Sequence, residues 1–149
     1  MKLTDHFNLN EFTASQTATR HGINNTPPQV ATERLRMLAT TLEQVRSLLG
    51  NNSIRISSGY RCLALNRAIG SGDLSAHVLG YAVDFTCAAF GTPKEVANKI
   101  AESPIKFDQL IYEGGNGGWI HLSIDPRNRR ELLTATFKGG KAFYKEGIA

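Results

Sequence analysis

The chain lacks the features that would place it in a bilayer, a disulfide-stapled scaffold or a nucleic-acid surface. It has only two cysteines, Cys62 and Cys87. They form no CxxC motif and their spacing suggests no pairing, so both are expected to be buried thiols, without a role in metal binding or catalysis. No apolar run approaches the length of about 20 residues that spans a bilayer, so no membrane insertion is expected. The opening Met1-Lys2-Leu3-Thr4-Asp5-His6 lacks the apolar core of a signal peptide. The expected location is therefore the cytoplasm in which the chain is made, or a route outward that needs no cleavable signal. Repeats, low-complexity stretches and linkers are also missing. The net charge of +4 would suit a polyanion such as an acidic wall polymer. Its basic residues are scattered, however, and the one dense group, Arg127, Arg129 and Arg130, lies beside a turn. Without a basic stripe interleaved with aromatics, no nucleic-acid partner is expected.

What remains is an ordinary globular composition. With 149 residues, 41% hydrophobic and 20% charged, the chain fits one domain (1–149) around one core, and a monomer is expected. Asn10-Glu11-Phe12 opens a short helix with Asn10 as its cap. Asn24-Asn25-Thr26-Pro27-Pro28 turns into the main helix, where Leu35, Leu38, Leu42, Val45 and Leu49 recur at three- and four-residue steps and make one apolar face. Pro28 and Gly50 mark its ends. Ile54–Ser57 and Tyr81–Phe85 read as strands, with a short helix at Leu63–Ile69 between them. Thr92-Pro93-Lys94-Glu95 combines a capping box with a proline at the first helical position, so a helix runs to Glu102. Phe107–Glu113 and Trp119–Ile124 flank the glycine-rich loop Gly114–Gly118 as a hairpin. Leu132–Lys138 and Lys141–Tyr144 form a last hairpin around Gly139-Gly140. Helices first and mostly antiparallel strands afterwards predict an α+β domain, with N-terminal helices packed on a small, mainly antiparallel sheet.

Three residues stand out chemically. His77 and Asp84 lie close together in Ser75-Ala76-His77-Val78-Leu79-Gly80-Tyr81-Ala82-Val83-Asp84, and His121 lies in Trp119-Ile120-His121. Two imidazole nitrogens and one carboxylate oxygen would leave the fourth position of a tetrahedral zinc open, as a catalytic zinc requires. If the three converge, the chain is expected to be a zinc hydrolase holding one Zn2+.

The central hairpin adds a candidate base. With Gly114–Gly118 as the loop, Glu113 pairs with Trp119, Ile111 with His121 and Gln109 with Ser123. Period-two alternation then puts Gln109, Ile111, Glu113, Trp119, His121 and Ser123 on one face. Glu113 becomes a diagonal neighbour of His121, about 7–8 Å away between backbones, close enough to serve water at the same metal. A slip of one residue would turn it to the other face.

The block Ser57-Ser58-Gly59-Tyr60-Arg61, Asn66, the Ser75/His77/Gly80/Ala82/Asp84 pattern and Trp119-x-His121 resemble the zinc D-alanyl-D-alanine peptidase family, peptidase family M15. So do Phe7-x-Leu9-x-Glu11-Phe12 and Arg20-His21-Gly22-Ile23-x-Asn25. The resemblance is to the small single-domain members common in phages and prophages. It implies a Hedgehog/DD-peptidase-like fold and hydrolysis of peptidoglycan stem peptides by carboxypeptidase or endopeptidase action. On such a reading the protein stays in the host cytoplasm until release or travels with a virion. It also implies metal ligands His77, Asp84 and His121, and an Arg61 that grips a substrate carbonyl or carboxylate, a task suited to a fixed, always-charged guanidinium. Ser75, Gln109 and Ser123 are further candidate substrate contacts. The chain departs from the pattern at one point. Gly118 and Trp119 stand where many members carry an acidic base shortly before the second histidine. Glu113 is the expected replacement, ahead of Asp108, Asp73 and Asp125, and alternation turns Asp108 away from His121. Loss of the base would instead leave a zinc-containing wall-binding or phage structural module.

Overall fold

The periodic leucines form the spine of the fold. A computed structural model describes residues 1–115 and 117–149; Asn116, in the expected hairpin loop, lies outside the described residues. Helix α3 (Gln29–Leu48) buries Leu35, Leu38, Ala39, Leu42 and Val45 completely. Pro28 occupies its cap and Gly50 follows its end at φ 76°, a left-handed position that favours glycine.

This stripe packs on a six-stranded sheet made of β3 (Arg55–Ser58), β4 (Ala82–Thr86), β5 (Gln109–Glu113), β6 (Trp119–Ser123), β7 (Glu131–Lys138) and β8 (Lys141–Glu146). The strand order is β3-β4-β6-β5-β7-β8. All neighbours are antiparallel except β5 and β7. Alternation gives the sheet two different faces. Val83, Phe85, Ile120, Leu122 and Leu110 belong to the core with α3 and α6 (Pro93–Ala101). Asp84, His121, Ile111 and Glu113 alternate with them and face the other way. Helix α6 begins with the expected capping box: Thr92 Oγ1 accepts the Glu95 N–H at 3.2 Å and the Glu95 carboxylate accepts the Thr92 N–H at 3.1 Å.

The architecture is thus α+β, as the pattern predicts, with several differences in detail. The first helix, α1 (Leu9–Thr13), is capped at Asn8 rather than Asn10. Glu11 stands three residues after Asn8, and its carboxylate accepts the Asn8 N–H at 2.7 Å, the reciprocal bond of a capping box. A ribbon of β1 (Lys2–Thr4) and β2 (Phe7–Asn8) precedes it. Helices α2 (Gln16–His21) and α5 (Ala76–Leu79) are also additions, while α4 (Leu63–Ala68) sits where a helix is expected. Strand β7 lies beside β5, not β6, because β4 already occupies the other edge of β6. The chain therefore crosses to the free edge of β5 and runs parallel to it.

Candidate metal centre and active-site cleft

His77 is held from both sides. It lies on α5, a single turn whose cap Ser75 accepts the His77 N–H at 3.3 Å and which Gly80 ends at φ 83°. A Cβ at Gly80 would press on the Ala31 backbone of α3, so glycine lets the turn sit close to the helix. The imidazole Nδ1 donates to the Gly59 carbonyl at 2.7 Å. That bond fixes the tautomer and leaves the Nε2 lone pair for a ligand. Gly59 can lie there because a side chain would collide with the Phe12 backbone.

Asp84 and His121 arrive by register. They are directly paired across β4 and β6. Asp84 Oδ1 lies 3.0 Å from His121 Nδ1 and 3.4 Å from His77 Nε2. All three candidate ligand atoms lie within 4.8 Å of one another, a group that could hold a metal ion. Ligands at the usual zinc distances of about 2.0–2.1 Å stand roughly 3.3 Å apart in a tetrahedron, so the Asp84 spacings suit such an ion. Protonation suits it as well. Burial pushes the His77 imidazole down, against the pull of Asp84, which favours the neutral form that metals bind. Burial by itself would raise the Asp84 carboxyl. The His121 and His77 imidazoles beside it outweigh burial and hold the group well below the ordinary carboxylate range.

Glu113 shares the sheet face of Asp84 and His121, and it borders the same cleft of about 650 Å³ as the cluster, room for a short peptide. The register is the one expected from the loop: Glu113 pairs with Trp119, Ile111 with His121 and Gln109 with Ser123. Burial raises the Glu113 carboxyl and the Asp84 charge adds to it; His121, the Trp119 indole and Arg61 oppose them. The Trp119 Nε1–H is near enough to favour the charged glutamate but has no hydrogen-bond partner within bonding distance among the described residues.

Arg61 borders the same cleft. Its backbone N–H donates to the His77 carbonyl at 3.2 Å. Burial pushes the Arg61 guanidinium below its ordinary value, while the Asp84 and Glu113 charges oppose that shift. Its Nη2 reaches Ser75 Oγ only at 3.5 Å, and its buried Nε has no partner among the described residues. An unmet donor on a half-buried guanidinium beside a cleft suits an acceptor supplied by a ligand. Asn25 fixes the loop that carries Arg61. Its amide donates to the Thr13 and Tyr60 carbonyls at 2.9 and 3.0 Å, and its oxygen accepts the Cys62 N–H at 2.8 Å. Sequence reasoning assigned Asn25 no role, although it closes the Arg20–Asn25 segment.

The remaining candidates are placed less favourably for ligands. Ser75 borders the cleft but is engaged as a cap. Gln109 also borders it and donates to Glu131 at 2.7 Å. Ser123 shares the face by register, yet it is buried and its hydroxyl accepts the Gln109 N–H at 3.1 Å. Asp108 is buried and chelated by Arg129, whose Nε and Nη2 both donate to it at 2.9 Å. Asp73 pairs with Arg67 and Asp125 with Arg127. His6 pairs with Glu43, and His21 ends α2. Both cysteines are free thiols.

A family model described as Peptidase M15 matches residues 5–123, which include all of these cleft residues up to Ser123. No curated protein matches the chain.

Proposed function

Since the chain belongs to the peptidase M15 family, we propose that it is a zinc-dependent peptidase that hydrolyses peptide bonds in peptidoglycan stem peptides. The observation that carries this reading is the convergence of His77, Asp84 and His121 on one side of a cleft that Glu113 faces. His77 Nε2, His121 Nδ1 and Asp84 Oδ1 would hold the ion. When bound, zinc supplies polarisation of the scissile carbonyl and acidification of water. The protein supplies the rest. The Gly59 carbonyl keeps His77 in the binding tautomer. Glu113 takes the proton of the attacking water on its carboxylate and hands it to the departing amine, as a general base and then acid. Arg61, whose guanidinium pairs with no carboxylate among the described residues, holds the carbonyl oxygen or a free carboxylate of the peptide. A phage or prophage origin, with release at lysis or carriage in a virion, fits this substrate.

Mass spectrometry of muropeptides after digestion tests the reading. Glu113→Gln is expected to keep its zinc and lose about 10²–10⁴-fold in kcat. In the native protein kcat/KM rises with pH as the Glu113 carboxyl ionises, and that limb disappears in the variant. Unchanged hydrolysis by Glu113→Gln would contradict the assigned base. A native protein that binds muropeptides and zinc without cleaving would instead be a wall-binding module.

A further inference from the structure

One wall of the cleft comes from beyond the family match. That match ends at Ser123, before β7 and β8 begin. Register nevertheless ties these strands to the site. Trp119 pairs with Glu113, Glu113 with Ala135 and Ala135 with Tyr144. The four residues form one row across β6, β5, β7 and β8, on the face that carries His121. Ala135, between Glu113 and Tyr144, is fully buried and offers only a methyl group. Two strand spacings separate the backbones of Glu113 and Tyr144, about 10 Å, and nothing longer than that methyl stands in the row between them. Tyr144 borders the cleft. Its hydroxyl registers the site, since burial pushes the phenol above its ordinary value and the Glu113 and Asp84 charges push it further. At 59% exposure the residue is no part of the core. Phe137 projects from the same face of β7 and packs on Trp119, with ring centroids 6.2 Å apart and planes at 30°. Arg61 follows β3, at the other edge of the sheet. A ligand lying across the cleft therefore runs from a guanidinium on one side to a phenol and two aromatic rings on the other.

We propose that Tyr144 is a substrate-binding residue, whose phenol hydrogen-bonds the backbone of a bound peptide on the side of the cleft away from Arg61 while Trp119 and Phe137 pack against the peptide's apolar groups. This rests on the reading of the cleft as a peptide site. A small residue at position 135 and an aromatic at 144 then have a shared purpose: the alanine leaves the space and the tyrosine reaches into it from the edge strand.

Trp119 is the chain's one tryptophan, so its fluorescence reports peptide binding in the cleft itself. The probe is a synthetic stem pentapeptide ending in D-alanyl-D-alanine. It is titrated into zinc-loaded Glu113→Gln protein, alone and combined with Tyr144→Phe or Tyr144→Ala. Loss of one hydrogen bond predicts a roughly fivefold weaker Kd for Tyr144→Phe, and loss of the ring a further weakening for Tyr144→Ala. Zinc content and Tm stay unchanged. In the otherwise native protein KM rises by the same factors with kcat nearly kept. If peptide binds in a Tyr144-dependent way but is not cleaved by the native protein, the proposal stands and the peptidase reading falls. If the native protein cleaves the peptide and Tyr144→Ala changes neither KM nor Kd, the proposal is overturned and the peptidase reading stands.

Discussion

Two regions of the cleft each combine a buried aspartate with an arginine, and they use them in opposite ways. Beside the lower end of β5, Asp108 and Arg129 close on each other through two hydrogen bonds of 2.9 Å. The charge of each is met by the other, and neither side chain has much left to offer a ligand. In the candidate metal centre Asp84 and Arg61 are kept apart. Asp84 is pinned by two histidines, and Arg61 is held by its own backbone against His77. An aspartate partnered by imidazoles can still bind a cation, and a guanidinium without a carboxylate can still bind an anion. The difference shows how a single cleft can contain one ion pair that only braces the fold and one separated pair whose halves remain available for chemistry.

The comparison breaks most sharply at the aspartates themselves. Asp84→Asn is expected to abolish near-stoichiometric zinc and to lower peptidase activity by roughly 10³-fold or more, since it removes the anionic ligand of the site. Metal analysis of the purified variant checks this. Asp108→Asn is expected to keep its zinc. Equal loss of metal in both variants would mean that the Arg129 pair does more than brace the fold. Exchanging the arginines is the next sharpest probe. Arg61→Lys retains the charge but not the planar fork, so kcat/KM should fall about 10–100-fold at unchanged zinc content. Arg129→Lys should change kcat/KM by no more than about threefold.

The smallest effect is on stability and depends on pH. The hydrogen bond from Arg129 lowers the Asp108 carboxyl below its ordinary value, against the effect of burial. A carboxyl lowered in the folded state stabilises the protein above its unfolded value of about 3.9, and that contribution is lost as pH falls through the folded value. Thermal melts should therefore show Asp108→Asn below the native Tm at neutral pH, with the gap closing below about pH 4. A gap that widens in acid would reverse the assigned sign.

How much of this is legible in the sequence differs between the two regions. Alternation along β5 and β6, together with a loop bounded by Glu113 and Trp119, yields the register that puts Glu113 and His121 on one face. Residue chemistry and the resemblance pick out His77, Asp84 and His121 as candidate ligands, and the three do converge. The Asp84–His121 pairing does not, because it depends on β4 joining the far edge of β6, a contact between segments distant in the chain. The Gly59 carbonyl at His77 is likewise invisible, because it arises where the end of β3 meets α1. The Asp108–Arg129 pair was missed because a turn separates Arg129 from β6 and Asp108 lies ahead of β5, so local periodicity does not bring the two together. Tyr144 was missed for a topological reason. Its place in one row with Glu113 exists only because β7 adds in parallel to β5, and nothing in the local periodicity distinguishes that edge from any other. The Asn8 cap was within reach, since Glu11 three residues later completes the capping box that Asn10 cannot make.

The central claim is that His77, Asp84 and His121 form a catalytic zinc site. Its most direct test measures zinc per chain and muropeptide hydrolysis on the same sample, before chelation, after chelation and after zinc is restored. Close to one zinc per chain is expected, with hydrolysis lost on chelation and regained with zinc. Protein that purifies without zinc, or that cleaves equally well after chelation, would contradict the claim.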